Sequence, residues 1–165
     1  MRVYMLIIVA ALSLLAYGGN HKEPSNKHFW HTLETTASPD IIWKFWTDVE
    51  NWHHWDSGLR SAKLKDGEIF SIEAEGVIIS LEGRESKFRI TELQPDTSYT
   101  FKTNLPLGAL YVKRTLEKTE TGTRFTHEVW FGGLTGWLFA KKIGATFREM
   151  LPEVMQNLKQ AAEEG

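Results

Sequence analysis

Two polar side chains, His127 and Arg114, fall among apolar residues where strand periodicity places them. His127 alternates with Phe125, Val129 and Phe131 in the last predicted strand, so these four side chains share one face. Imidazole titrates near neutral pH, which suits acid–base chemistry or the orientation of a ligand. The plainer alternative is a core histidine bonded to a neighbour, or an inverted register that exposes the ring.

Arg114 is in phase with Leu110, Val112 and Leu116 on the preceding predicted strand. An inward arginine is costly unless it is paired. It would then hold a ligand carboxylate or an inward carboxylate such as Glu75. The plainer expectation is that Arg114 lies near the strand end and its guanidinium reaches solvent. His127 and Arg114 are the only candidates for a catalytic role.

Other patterns with reactive side chains do not predict a site. His53 and His54 are adjacent on a predicted helix, so their rings point about 100° apart and chelate one ion poorly. The glycines at Gly132, Gly133 and Gly136 precede a helix without the lysine of a phosphate loop, which favours a hinge. The chain has no cysteine, which excludes disulfides and thiolate metal sites. No metal and no other cofactor are expected.

The composition is that of a globular domain rich in aromatic residues. Hydrophobic residues make up 42% and charged residues 24%, and the net charge is −2, so nothing suggests a nucleic-acid partner. Seven Trp, nine Phe and four Tyr are present. Aromatic side chains fill cores and also line apolar ligand pockets.

The N-terminus has the pattern of a targeting segment. A positive charge precedes an apolar run at residues 3–17, and the small residues Ala16 and Gly18 suit cleavage, which predicts a signal peptide at residues 1–18. An uncleaved anchor is the alternative. Residues 19–27 read as a linker. The protein is therefore expected to be exported to the periplasm or secreted, or to be anchored to the membrane.

The remaining chain, residues 28–165, reads as one domain. A first strand covers residues 28–38, and Ser38 with Pro39 begins a helix that is followed by a short one at about residues 50–55. Alternating apolar residues predict strands at about 62–65, 70–74, 77–81, 88–93, 99–103, 110–116 and 124–131. The register between residues 76 and 83 stays open. The expected sheet is an antiparallel meander.

A long amphipathic helix is predicted at residues 135–164. Its apolar positions recur at steps of three and four: Trp137, Ala140, Ile143, Phe147, Leu151, Val154, Leu158 and Ala162. Pro152 should kink it. Lys141, Lys142 and Arg148 form a basic edge that would contact an anionic membrane surface or simply face water.

The chain from about residue 27 onward resembles the helix-grip superfamily, which includes START-like lipid-transfer domains, pollen-allergen-like proteins and polyketide cyclase/dehydrase-like proteins (SRPBCC). The resemblance rests on residues 37–43 (ASPDIIW), 49–52 (VENW) with Trp55-Asp56, 90–95 (ITELQP), 120–126 (ETGTRFT) and 151–159. It implies an α+β fold: a curved antiparallel sheet of about seven strands wrapped on the long helix, with two short helices after the first strand.

The resemblance also implies an apolar cavity between sheet and helix. The protein is expected to be a monomer. Binding of a hydrophobic small molecule or lipid there is the first hypothesis. A polyketide cyclase/dehydratase-like enzyme and a structural or stress-related envelope protein without ligand are the alternatives. Membrane contact would come through the N-terminal segment. The expected ligand-binding residues are Trp52, Trp55, Phe70, Ile72, Phe88, Phe101, Phe125, His127, Val129, Phe131, Trp137, Ile143, Phe147, Leu151 and Val154.

Overall fold

The computed structural model describes residues 24–165. Its elements are β1 (His28–Thr35), α1 (Pro39–Thr47), the 3-10 helix η1 (Val49–His54), β2 (Leu59–Leu64), β3 (Glu75–Ser80), β4 (Glu85–Gln94), β5 (Ser98–Leu105), β6 (Gly108–Lys118), β7 (Thr123–Gly133) and α2 (Gly136–Glu164). The strands form one antiparallel seven-stranded sheet in the order β1-β7-β6-β5-β4-β3-β2. This confirms the predicted α+β helix-grip architecture.

The predicted signal peptide at residues 1–18 lies outside the described residues, as does most of the linker. In the described range, no helix is long and apolar enough to cross a membrane.

Helix α1 begins where the sequence predicts. Ser38 occupies the N-cap position in an extended conformation, although its side chain makes no capping hydrogen bond. The start of the helix rests instead on Pro39, whose ring fixes a helical φ, and on Asp40 in the first turn. Ile42 and Trp46 form the buried face of the helix.

Strands β6 and β7 carry the most regular part of the inner face of the sheet. Alternate residues are buried along both strands. The antiparallel register sets them opposite each other in successive rows, which are Leu110–Phe131, Val112–Val129, Arg114–His127 and Leu116–Phe125. Because a strand advances about 3.4 Å per residue, neighbouring rows lie roughly 7 Å apart. One polar row therefore interrupts an otherwise apolar face.

The predicted strand at residues 70–74 is wrong. This stretch belongs to a loop between β2 and β3, in which Glu73 has a positive φ of 66° that interrupts extended backbone. Ile72 is 59% exposed, so its predicted inward orientation is wrong as well. Phe70 folds back over the sheet and meets the Tyr99 ring edge-on at a centroid distance of 4.9 Å.

The two halves of α2 are covered to different extents. Beyond Pro152 the helix buries large side chains: Val154, Met155 and Leu158, which follow the buried Leu151. The first half buries only small residues: Gly136, Ala140 and Gly144. Trp137 is 60% exposed, so the predicted inward orientation of this residue is wrong.

Candidate functional site

Arg114 lies at the centre of the interior and is only 1% exposed. Its guanidinium carbon lies 4.8 Å from the ring centroid of Trp52 and 4.7 Å from that of Trp55. Its Nη1 donates a hydrogen bond to Tyr99 Oη at 2.5 Å. The expectation that Arg114 reaches solvent is therefore wrong.

The alternative pairing of Arg114 with Glu75 is also wrong. Glu75 is half-buried at the outer face of the sheet, where it forms an ion pair with Arg89. The aromatic faces around Arg114 supply part of what a counter-ion would supply, because a cation is attracted to the negative face of an aromatic ring.

Helix η1 positions the aromatic partners of Arg114. Trp52 and Trp55 are three residues apart and both turn inward, at 0% and 2% exposure. Trp52 Nε1 donates to the carbonyl oxygen of Trp46 at 2.9 Å, and Tyr99 Oη donates to the same oxygen at 3.3 Å. These bonds fix the rings against which the guanidinium lies.

Asp56 brings a carboxyl group close to the same cluster. Burial raises the pKa of Asp56, and the nearby charge of Arg114 and the Gly58 N–H oppose that rise. Asp56 Oδ1 accepts the Gly58 N–H at 3.1 Å. The site therefore contains a fixed cation with a partly buried carboxyl group near it.

His127 faces Arg114 across the β6–β7 pair and is 7% exposed. Burial, and secondarily the positive charge of Arg114, holds the pKa of His127 well below its usual value. The imidazole is therefore neutral at pH 7. A neutral imidazole beside a permanent cation can accept a proton while the cation polarises a carbonyl group or holds an anion.

Three buried N–H groups of this region have no hydrogen-bond partner among the described residues. They are Arg114 Nε, Trp55 Nε1 and Trp46 Nε1. Buried donors in folded proteins are nearly always paired, so each such group calls for an explanation. An acceptor on a bound molecule would satisfy the first two, because Arg114 Nε belongs to the guanidinium and the Trp55 ring lies against it.

Most of the predicted ligand-binding side chains form the apolar surroundings of this polar row. The rings of Phe88 and Phe101 each lie 5.6 Å from that of Trp52, as part of the core. The other fully buried members are Phe125, Val129, Phe131, Leu151 and Val154. Sequence reasoning missed Asp56 and Tyr99, although Tyr99 alternates in phase with Phe101.

One side of the first half of α2 is only partly covered. Its apolar side chains are Phe139, Ile143, Phe147 and Met150, which lie against the core without being buried in it. The Phe147 ring lies 6.3 Å from the Phe131 ring, and a β-carbon at Gly58 would lie 2.7 Å from Met150 Cε. We call these four side chains the open face of α2. Through Phe147 it adjoins the Leu110–Phe131 row of the sheet.

A separate cleft of about 670 Å³ lies at β2–β5, toward the outer face of the sheet. Its lining includes Lys63, Lys87, Arg89 and Lys102. None of the polar groups around Arg114 belongs to it.

Comparison with solved structures finds the same fold at low sequence identity. The protein MLL2253 from Mesorhizobium loti is 17% identical, with a TM-score of 0.66 over 81% of this chain and 95% of that one. The hypothetical protein jhp0584 from Helicobacter pylori is 10% identical, with a TM-score of 0.69 over 84% of this chain and 89% of that one.

A third similar structure is the di-domain aromatase/cyclase (ARO/CYC) StfQ from the steffimycin biosynthetic pathway. It is 12% identical, with a TM-score of 0.67, and the match covers 84% of this chain and 52% of StfQ. At these identities the likeness extends to the fold alone.

At the level of sequence, no curated protein matches the chain. One family does match, and the match spans residues 28–163, from the first residue of β1 nearly to the end of α2. The chain thus belongs to the family described as polyketide cyclase/dehydrase and lipid transport.

Proposed function

We propose that the protein binds a hydrophobic small molecule or lipid between the open face of α2 and the inner face of the sheet. The ligand's apolar part contacts Ile143 and Phe147, and its polar group lies at Arg114 and His127. Membership of a family whose description includes lipid transport supports a role in ligand binding.

The observation that carries this proposal is the incomplete burial of the open face. A well-packed helix buries its large apolar side chains, as the second half of α2 does. In the first half, Phe139, Ile143, Phe147 and Met150 remain partly uncovered although they adjoin the core. A bound apolar molecule would cover them.

The dimensions and polarity of the inner face suit an amphipathic ligand. From Leu110 to Arg114 the strand advances roughly 14 Å, which is the reach of a medium-length acyl chain or a fused-ring system. The rows Leu110–Phe131 and Val112–Val129 lie nearer the open face than the polar row does, and the Leu116–Phe125 row lies beyond it. The unpartnered Arg114 Nε and Trp55 Nε1 favour a ligand with a carbonyl or carboxylate oxygen.

Native mass spectrometry of protein purified without detergent, followed by titration with a fluorescent fatty acid, tests the proposal. Saturable 1:1 binding is expected. Ile143→Trp should fill the space and weaken binding at least tenfold, whereas Ala145→Trp, at an exposed position on the same helix, should not. Equal binding by both variants, or no binding of any lipid class, would contradict the proposal and favour a protein without ligand.

A second candidate function is a cyclase- or dehydratase-like enzyme. The observation that favours it is the direct opposition of Arg114 and neutral His127. Arg114 would polarise a ketone while His127 removes the α proton. The imidazolium would then give that proton to the β-hydroxyl group as the C–O bond breaks, so that water leaves. Mass spectrometry of a β-hydroxy ketone incubated with the protein would detect the loss of water.

The variant His127→Gln tests the role of the imidazole: it should abolish turnover while ligand binding persists. Turnover that survives in this variant would exclude the role of His127.

We also propose that residues 1–18 export the protein. Mass spectrometry of the protein from the cell envelope or medium would show whether the chain begins near residue 19. A full-length cytosolic product would contradict the proposal.

A further inference from the structure

Most of the exposed large apolar side chains lie at one end of the sheet. At this end lie the β3–β4, β5–β6 and β7–α2 connections and the first residue of β1. We call this the proximal end. The exposed side chains here are Leu81 (54%), Leu107 (74%) and Leu134 (80%) on these connections and Trp137 (60%) in the first turn of α2. The other two large exposed apolar residues of the described chain, Ile69 and Ile72, lie in the β2–β3 loop at the opposite end.

Three of these residues, Leu107, Leu134 and Trp137, lie on adjoining segments of the chain. The Leu134 N–H donates to the carbonyl oxygen of Leu107 at 2.9 Å, so the β5–β6 turn and the β7–α2 connection touch. Trp137 follows Leu134 by three residues in the first turn of α2. Contiguous exposed apolar surface marks an interaction site more often than isolated residues do.

Leu107 is held in a conformation that disfavours a leucine. Its φ is +56°, in the left-handed region that glycine or asparagine adopts at lower cost. The two-residue turn Pro106-Leu107 between β5 and β6 calls for a positive φ at its second position, which glycine or asparagine would supply at lower cost. The side chain of Leu107 is 74% exposed, so its apolar surface is not used within the fold.

The charges near this surface fit an anionic partner. Lys141 lies one helical turn after Trp137 on the same side of α2, and Lys142 follows it. Both are exposed, and neither forms an ion pair within residues 24–165.

The chain also enters the fold at the proximal end. Arg148 Nη2 donates to the Ser25 carbonyl oxygen at 2.9 Å and to Asn26 Oδ1 at 3.0 Å, which holds the start of the described chain against α2. The apolar run at residues 3–17 precedes this point by a short linker. If this apolar run contacts a membrane, it therefore brings the proximal end toward the membrane surface.

From these features together we propose that the proximal end docks on the surface of an anionic lipid bilayer. Leu107, Leu134 and Trp137 enter the boundary between head groups and acyl chains, where tryptophan is favoured. Lys141 and Lys142 contact acidic head groups. This inference concerns the outer surface of the protein, so it stands whether or not the interior binds a ligand.

The absence of native cysteine makes the test direct. The full chain with Leu134→Cys, or with Ile69→Cys as the matched control, is labelled with an environment-sensitive fluorophore. It is then mixed with phosphatidylcholine vesicles that contain or lack phosphatidylserine and carry a nitroxide-labelled lipid. We expect the label at position 134 to be quenched several-fold more than that at position 69, and more strongly with phosphatidylserine present. Equal quenching at the two positions would overturn the proposal, even if the N-terminal segment tethers the protein.

Two further variants separate docking from folding. Replacement of both Lys141 and Lys142 by Gln should lower quenching at position 134 several-fold in phosphatidylserine vesicles. Leu107→Asn should also lower it, while thermal stability is kept or raised because asparagine tolerates a positive φ. Unchanged quenching in both variants would assign the contact to the tether alone and overturn the docking surface.

Discussion

Arg114 and His127 occupy directly opposed positions on β6 and β7, and both side chains are withdrawn from solvent. One carries a permanent charge, and the other is held neutral by burial and by that charge. The stability of the fold should therefore depend on pH and on the residues that surround this pair.

Stability should fall as the pH is lowered below about 6.5, the ordinary pKa of histidine. His127 has a depressed pKa in the folded state, so below pH 6.5 the unfolded chain binds the extra proton and unfolding is favoured. Each unit of pKa difference is worth about 1.4 kcal/mol. Urea denaturation between pH 7.5 and pH 5 measures the slope.

His127→Gln should flatten that slope, whereas His53→Gln at an exposed position should retain the wild-type profile. Asp56, whose raised pKa acts with the opposite sign, is present in every variant and cancels in the comparison. Identical profiles for the wild type and His127→Gln would show that His127 is not held neutral in the fold.

Tyr99→Phe should destabilise the protein by about 1–3 kcal/mol, because it removes the acceptor of a charged buried donor, Arg114 Nη1. Burial raises the pKa of Tyr99 to about 12, so its hydroxyl remains protonated over the whole accessible pH range. Chemical denaturation measures the loss. Tyr111→Phe is the control: the Tyr111 ring stacks on Trp130 at 5.0 Å, and the change should cost under about 0.5 kcal/mol.

Arg114→Ala should cost about 3–5 kcal/mol, since it leaves Asp56 without the nearby cation and opens a space beside Trp52 and Trp55. Arg114→Met should cost clearly less, because its side chain of similar length fills the space that alanine leaves open, although it too removes the cation beside Asp56. Differential scanning calorimetry on both variants measures the order. Arg84→Ala, in an exposed turn, should change little. Equal losses for Ala and Met would assign the role of Arg114 to its charge and not to its volume.

Replacement of a large apolar side chain by alanine should cost different amounts of stability in the two halves of α2. Leu158→Ala, at a position 1% exposed, should cost about 2–5 kcal/mol. Ile143→Ala, on the open face, should cost less than half as much because its side chain is already partly in water. Comparable losses in guanidinium denaturation would mean that the open face is as closely packed as the second half.

The order of elements and the α+β architecture follow from the sequence because they depend on local periodicity. Alternation in β6 and β7 and the three–four spacing in α2 are strong signals over many residues. A strand was wrongly predicted at residues 70–74 because Phe70 and Ile72 alternate with polar residues as they would in a strand. There Glu73 turns the backbone, and Phe70 contacts Tyr99 instead of pairing in the sheet.

The environment of Arg114 was not predictable from its own strand. Periodicity points it inward, and the cost of burying a charge argues against that orientation. The compensation comes from Trp52, Trp55 and Asp56, which lie about sixty residues earlier and reach Arg114 only after η1 folds onto the sheet. Such long-range pairing has no signature in a local pattern.

Pro152 separates the two halves of α2, which continues through it from Gly136 to Glu164. Proline has no backbone N–H, so the carbonyl of Arg148 lacks its helical donor at that point. Residues before the break are lightly anchored, whereas those after it are fixed by buried leucine, valine and methionine. The amide hydrogens of the first half should therefore exchange with solvent deuterium well before those of the second, as two separate opening units within one continuous helix.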